Sequence, residues 1–348
     1  MLKAHYYGEP YAMGLMHGKK YAAEIKSSMM AHVTEQTRKA CLEALGAIQA
    51  TLFDKIPEAL DEMRGIADGA GLAMEDILTL CYWEDVAALH AEPVKGLCTS
   101  IGFVSTVNEG PIMGKTSDIE EHQRNDYVLC WQYPDIGNKM LYLGKVGTLK
   151  IEAGMNDKGL VIGSSSAQPK DKRKNGIERM LLLRYLLQTC ASVAEAEAFL
   201  ANHDFFFLGL NIMLMDKTGK TVVVERASSH QSSRPPTQND VIYATNFYVC
   251  DSMKPHYDDS AWYLKNAADR YSMLEKVFSD VTMLNSALLR ETLSSHHTMG
   301  SICNHEKDLD SFYASVMYAW KGIYEITDGR PCETPFITYN LYVPETHE

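Results

Sequence analysis

The chain has 348 residues, 46% of them hydrophobic and 22% charged, enough for one large domain or two modest ones with a sizeable core. A formal charge of −12 argues against a phosphate-tracking surface for nucleic acid, and no apolar run reaches the roughly eighteen residues of a membrane span. The start, Met1 to Tyr7, lacks the apolar core of a secretory signal, so the expected setting is a reducing cytoplasm.

In chain order, apolar residues at spacings of three and four predict helices over 11–52, 57–69 and 74–89. Gly14 and Gly18 weaken the first turns, Pro57 opens the second helix, and Gly69 and Gly71 stop it. Near residue 95 the period changes to two. Strands are predicted over 101–107 and 112–117, joined by a turn at Asn108-Glu109-Gly110, then over 127–133, 140–146 and 160–165. Helices follow at 178–189 and 193–203, the second opening on a Ser192-Val-Ala-Glu195 capping box. A strand pair turning at Lys217-Thr-Gly219 continues through 222–225, and another strand covers 241–245. Helices over 261–278 and 283–293 precede strands over 313–318, 322–326 and 336–342. Blocks of helices and strands, rather than alternating units, imply an α+β layered architecture.

Eight cysteines are scattered without a CxxC pair, which supports neither a zinc ribbon nor a redox motif. Cys98 stands apart, in Lys95-Gly96-Leu97-Cys98-Thr99-Ser100, where helical sequence meets strand-rich sequence. A cysteine made N-terminal by a cut carries a thiol and an α-amine of reference pKa near ~8, so nucleophile and base are one residue. The alternative is a small buried hydrophobe. Four other patterns suggest chemistry less specifically. Gly110 to Thr116 is one residue short of a phosphate-binding loop and no helix pattern follows it. Gly163-Ser-Ser165-Ser-Ala167 lacks the helix that a nucleophile elbow requires. His296, His297 and His305 show no established ligand spacing, and Lys170 to Lys174 reads as a solvated basic loop.

The stretches Tyr7-Gly-Glu-Pro-Tyr-Ala-Met-Gly-Leu-Met-His-Gly18, Glu62-Met-Arg-Gly-Ile-Ala-Asp-Gly-Ala70, Cys98-Thr-Ser and Gly114-Lys-Thr-Ser-Asp118, in that order, resemble the acyl-coenzyme A:6-aminopenicillanic acid acyltransferase family. That family includes the isopenicillin-N acyltransferases and related linear-amide hydrolases of the N-terminal nucleophile superfamily. The resemblance implies a four-layer αββα sandwich over 98–348, preceded by a helical segment, 1–97, that stays bound after self-cleavage. It implies a scissile bond between Leu97 and Cys98, with Cys98 as nucleophile. It also implies that Asp118 holds the nucleophile's environment and that Asn246 donates to the tetrahedral oxyanion. No metal or organic cofactor is expected; the substrate is a small amide or acyl thioester, and a homo-oligomer is left open.

The chain departs from the family pattern in three places. Leu97 replaces the glycine that precedes the cysteine in penicillin-forming enzymes, Ser117-Asp118 replaces Trp-Asp, and Ser311-Phe312 stands at a Ser-Arg pair. The last predicts no cation from that position and points away from penicillin-type substrates. Bile-salt relatives place an arginine beside the nucleophile, which the sequence does not show. The competing expectation is an unprocessed, noncatalytic binding module of the same fold.

Overall fold

The computed structural model describes residues 1–89, 96–171, 173, 176–206, 208–306 and 309–342. In chain order the elements are β1 (Leu2–Gly8), α1 (Pro10–Lys20), α2 (Ala22–His32), α3 (Glu35–Lys55), α4 (Pro57–Ala70), α5 (Met74–Leu89), β2 (Leu97–Phe103) and β3 (Ile112–Ile119). There follow β4 (Tyr127–Pro134), β5 (Met140–Lys145), β6 (Ile151–Asn156), β7 (Val161–Ala167), α6 (Arg179–Thr189), α7 (Val193–Ala201), β8 (Gly209–Met215) and β9 (Thr221–Arg226). The chain continues through β10 (Gln231–Arg234), β11 (Val241–Ala244), α8 (Leu264–Phe278), α9 (Ser286–Leu293), β12 (His305–Glu306), β13 (Leu309–Tyr318), β14 (Ile323–Ile326) and β15 (Ile337–Asn340).

Two sheets stack face to face. One runs β1-β4-β5-β6-β7-β8-β9-β10; the other runs β11-β2-β3-β13-β14-β15, with β12 paired to β13. Strand alternation divides the core into layers. Val128 and Cys130 of β4 face the helices, whereas Leu129 and Trp131 face the second sheet. In β13, Tyr313 and Met317 point between the sheets while Ala314 and Val316 point outward to α8 and α9. Helices cover the outer faces of both sheets, giving the four-layer αββα sandwich that the sequence leads one to expect.

The helical beginning is more subdivided than its periodicity suggests. The predicted 11–52 helix is three helices, broken at Tyr21 (φ −120°, ψ 28°) and again before Thr34, whose hydroxyl accepts from the Thr37 N–H to start α3. An unanticipated strand, β1, pairs in parallel with β4 from Leu2 to Gly8, so the N-terminal segment completes a sheet of the sandwich. Gly14 and Gly18 do more than weaken α1: they let it lie directly on α4. A Cβ on Gly14 would sit 2.0 Å from the Glu62 carbonyl oxygen, and one on Gly65 would sit 2.2 Å from that of Tyr11. Backbone cannot yield as a side-chain tip can. Gly14→Ala is therefore expected to cost about 3 kcal/mol or more, read as a lower urea midpoint at unchanged slope.

Candidate active site

Pairing of β2 with β3 sets the site. Cys98 lies opposite Ser117 and Ser100 opposite Lys115, so alternation brings Cys98, Ser117 and Lys115 to one face. The Cys98 Sγ is 3.6 Å from the Ser117 Oγ. Lys115 is fully buried, its Nζ 3.3 Å from Glu152 Oε2. Burial opposes the Lys115 charge, but Cys98 and Glu152 outweigh it and raise the ammonium above its ordinary pKa.

Residues from two other elements clamp the Cys98 backbone. Arg270 of α8 donates from Nη1 to the Cys98 carbonyl and to Thr99 Oγ1, both at 2.7 Å, and from Nη2 to Asn246 Oδ1 at 2.8 Å. Asn246, just past β11, accepts the Cys98 N–H on that same oxygen at 3.0 Å and donates from Nδ2 to the Ser166 carbonyl at 2.9 Å. Because a guanidinium only donates, Arg270 fixes which end of the Asn246 amide faces Cys98. Burial lowers the Arg270 pKa, with Asp118 and Cys98 pulling the other way.

Asp118 sits opposite Leu97, one residue along from Ser117 and on the other face of β3. It accepts a hydrogen bond from Ser311 Oγ at 2.6 Å. Burial pushes its carboxyl up to about 6, against the pull of Arg270 and the Ser311 hydroxyl. Leu97 and Cys98 are both buried, 1% and 7% exposed, and the bond between them is the first link of β2.

The cleft above Cys98 encloses about 40 Å³, room for only a few waters. Its wall includes Glu152, Ser164, Arg179 and, from the N-terminal segment, Glu84. Glu84 reaches Lys145 at 2.8 Å and Lys150 at 3.4 Å. Burial alone would raise its carboxyl, but Lys145, Lys150 and Arg179 hold it well below the usual range. A second buried pair, Glu62 with Arg184 at 2.6 Å, also joins the N-terminal segment to the sandwich.

The structure sets Asn246 against the Cys98 backbone and places Asp118 on the opposite face of β3, where Arg270 pulls on its carboxyl, and it adds residues whose roles the sequence does not disclose. Lys115, which the sequence places in a near phosphate-binding loop, belongs instead to a wholly buried strand that continues to Ile119, where a P-loop would already have turned into its helix, with only a short 3-10 helix, Glu121–Asp126, after it. It and Arg270 supply cations beside Cys98 although Ser311-Phe312 supplies none. Ser165 is engaged by the Thr245 carbonyl at 2.7 Å, with no helix behind it. Lys95, and Lys172 and Lys174 of the basic stretch, lie outside the described residues.

Residues 105–326 match the family described as acyl-coenzyme A:6-aminopenicillanic acid acyl-transferase, a span that includes Asp118, Asn246 and Arg270. The chain belongs to that family. It is 28% identical over 225 residues to an uncharacterized protein of Archaeoglobus fulgidus, a match covering 55% of this chain and 37% of that protein. The chain therefore spans well under half the length of that relative. Among solved structures it is similar to a conjugated bile acid hydrolase variant from Clostridium perfringens, at 17% identity and a TM-score of 0.43, covering 70% of this chain and 96% of that one. It is also similar to the Caenorhabditis elegans ortholog of N-acylethanolamine-hydrolyzing acid amidase, at 15% identity and a TM-score of 0.46, covering 64% and 93%. A penicillin V acylase from Agrobacterium tumefaciens gives 13% identity and a TM-score of 0.38, covering 66% and 83%. Among the described residues no helix is long and apolar enough to cross a membrane.

Proposed function

We propose that this acyltransferase-family chain is a self-processing cysteine enzyme that hydrolyses a small linear amide or acyl thioester, or transfers its acyl group to an amine. The observation that carries the proposal is the clamp on one residue: Asn246 and Arg270 grip the Cys98 backbone on one side while Lys115 and Ser117 flank its sulfur on the other. A merely structural thiol needs none of these partners.

In self-cleavage the Cys98 sulfur attacks the Leu97 carbonyl carbon, the Leu97–Cys98 C–N bond breaks, and the acyl group passes to sulfur. Water then hydrolyses the thioester, leaving a Leu97 carboxylate, a free thiol and a new α-amine at Cys98. Lys115 stabilises negative charge at sulfur. In turnover the α-amine takes the thiol proton, sulfur attacks the substrate carbonyl, and the same amine protonates the leaving group. The Asn246 Nδ2 exchanges the Ser166 carbonyl for the developing oxyanion, while its Oδ1 keeps the α-amine in place. Water accepts the acyl group from Cys98 in hydrolysis; an amine accepts it in transfer. The segment 1–97 stays bound through β1, Glu62 and Glu84. A thiol nucleophile suits a reducing compartment such as the cytoplasm.

Intact-mass measurement after incubation with a panel of N-acyl amides and acyl thioesters tests this reading. The expected result is an acyl adduct on a fragment of about 28 kDa, from a 39.0 kDa chain cut before Cys98. An uncut chain that acquires no adduct from any of them would mean a binding module.

Asp118 gives a pH test. Its folded pKa, about 6, exceeds the unfolded value near ~3.9, so the native state holds an extra proton between those values and stability from this group falls as pH rises through that window. Asp118→Asn is therefore expected to be more stable at pH 7, by up to about 2–3 kcal/mol. Turnover, which needs the carboxylate to balance Arg270, is expected to fall in the wild type as pH drops through about 6. That acid limb should vanish in the variant, with a lower plateau. A limb unchanged in Asp118→Asn would assign it to another group.

A further inference from the structure

On the far side of Asp118 from the cleft, three separate stretches bring four metal-binding side chains together. His296 lies just past α9, Cys303 precedes β12 and His305 opens it, and Cys332 sits in the loop between β14 and β15. The Cys303 and Cys332 sulfurs are 3.5 Å apart, and His305 Nε2 is 3.4 Å from the first and 3.2 Å from the second. The His296 ring stands edge-on to His305, centroids 4.6 Å apart, and all four donor atoms lie within 4.8 Å of one another.

We propose that His296, Cys303, His305 and Cys332 form a tetrahedral zinc site that staples the segment after α9 to the β14–β15 loop. Zinc bonds of about 2.3 Å to sulfur and about 2.0–2.1 Å to nitrogen imply donor separations of about 3.3–3.8 Å around a tetrahedron, close to the three contacts here. Two thiols and two imidazoles form a borderline-soft set that suits zinc and disfavours the oxygen-seeking magnesium and calcium. Binding releases two thiol protons per ion, and two thiolates then neutralise the divalent charge. His296, His305 and Cys332 are exposed, which gives the ion a path from solvent.

The site also has a mechanical consequence. Asn304, between two of the ligands, donates its N–H to Ser311 Oγ at 2.7 Å and accepts the Ser311 N–H at 2.9 Å. Ser311 in turn donates to Asp118. A metal that fixes residues 303–305 therefore fixes the partner of Asp118. The staple itself does not depend on the proposed reaction.

The test is metal analysis of the full chain, purified without a histidine tag or chelator from zinc-supplemented cells. About one zinc per chain is expected, falling at least tenfold in Cys303→Ser/Cys332→Ser. His296→Ala, a change at an exposed side chain, is expected to weaken zinc about tenfold or more in chelator competition. After zinc removal, cobalt should give strong visible ligand-field bands with thiolate charge transfer that the double variant lacks. Wild-type protein with no more zinc than the double variant would overturn the proposal. So would a Cys303–Cys332 disulfide in freshly prepared protein, or a cobalt spectrum without thiolate charge transfer. Unchanged zinc affinity in His296→Ala would remove that ligand and overturn the four-ligand site.

Discussion

Cys98→Ala is expected to remain a single 39.0 kDa chain and to acquire no acyl adduct, with turnover reduced by more than about 10⁴-fold. The size of the effect follows from the economy of the design. In the proposed mechanism sulfur is the attacking atom in both self-cleavage and turnover, and the α-amine exists only after the first has occurred. One substitution therefore removes nucleophile and base together. The loss should not come from unfolding: the change deletes one sulfur atom from a small side chain whose neighbours include Ser117 and the flexible Lys115 stem. A circular dichroism melt close to wild type, together with lost cleavage, is the expected pair of results. Cleavage that persists in the variant would assign the reaction to another residue or to a contaminating protease.

Arg270→Met is expected to slow self-cleavage by about 10²–10³-fold and to lower stability by about 3–5 kcal/mol. Three acceptors, the Cys98 carbonyl, Thr99 Oγ1 and Asn246 Oδ1, lose a charged donor in a buried setting. Asp118 loses the stronger of two cations that pull its carboxyl down, Lys115 remaining, so it should hold its proton to a higher pH. Arg270→Lys restores charge but cannot span Cys98 and Asn246 with one planar fork, and should recover stability better than rate. Gel time courses of cleavage and urea unfolding separate the two quantities. Wild-type cleavage in Arg270→Met would show that the clamp on the Cys98 backbone serves only the fold.

The sequence discloses the architecture well where a regular period reports burial. Most strands from Ile101 onward and the outer helices carry clear periods, and the turn at Lys217 to Gly219 carries its own chemistry, whereas β6 and β10 have no predicted counterpart. It is less informative where tertiary contacts decide. The 11–52 region keeps helical spacing through its two breaks, and β1 becomes a strand because β4 offers it an edge. Gly14 and Gly65 look like weak helix positions alone and become a contact only when α1 meets α4. Cys98, Asp118 and Asn246 are legible through motif resemblance. Lys115 is hidden by its likeness to a phosphate-binding lysine, although two-residue spacing from Ser117 puts it on the Cys98 face once β2 and β3 are paired. Arg270 and Glu84 come from helices distant in sequence, and Cys332 joins Cys303 across 29 residues, so no local pattern announces them.

The central claim, that Leu97–Cys98 is the bond cut to create the catalytic residue, is tested most directly by N-terminal sequencing of the largest chain in purified protein. The account expects Cys-Thr-Ser-Ile, from a fragment of about 28 kDa that copurifies with one of about 11 kDa. A 39.0 kDa chain that still runs uninterrupted through Leu97 and Cys98, or a large fragment beginning at any other residue, would contradict it.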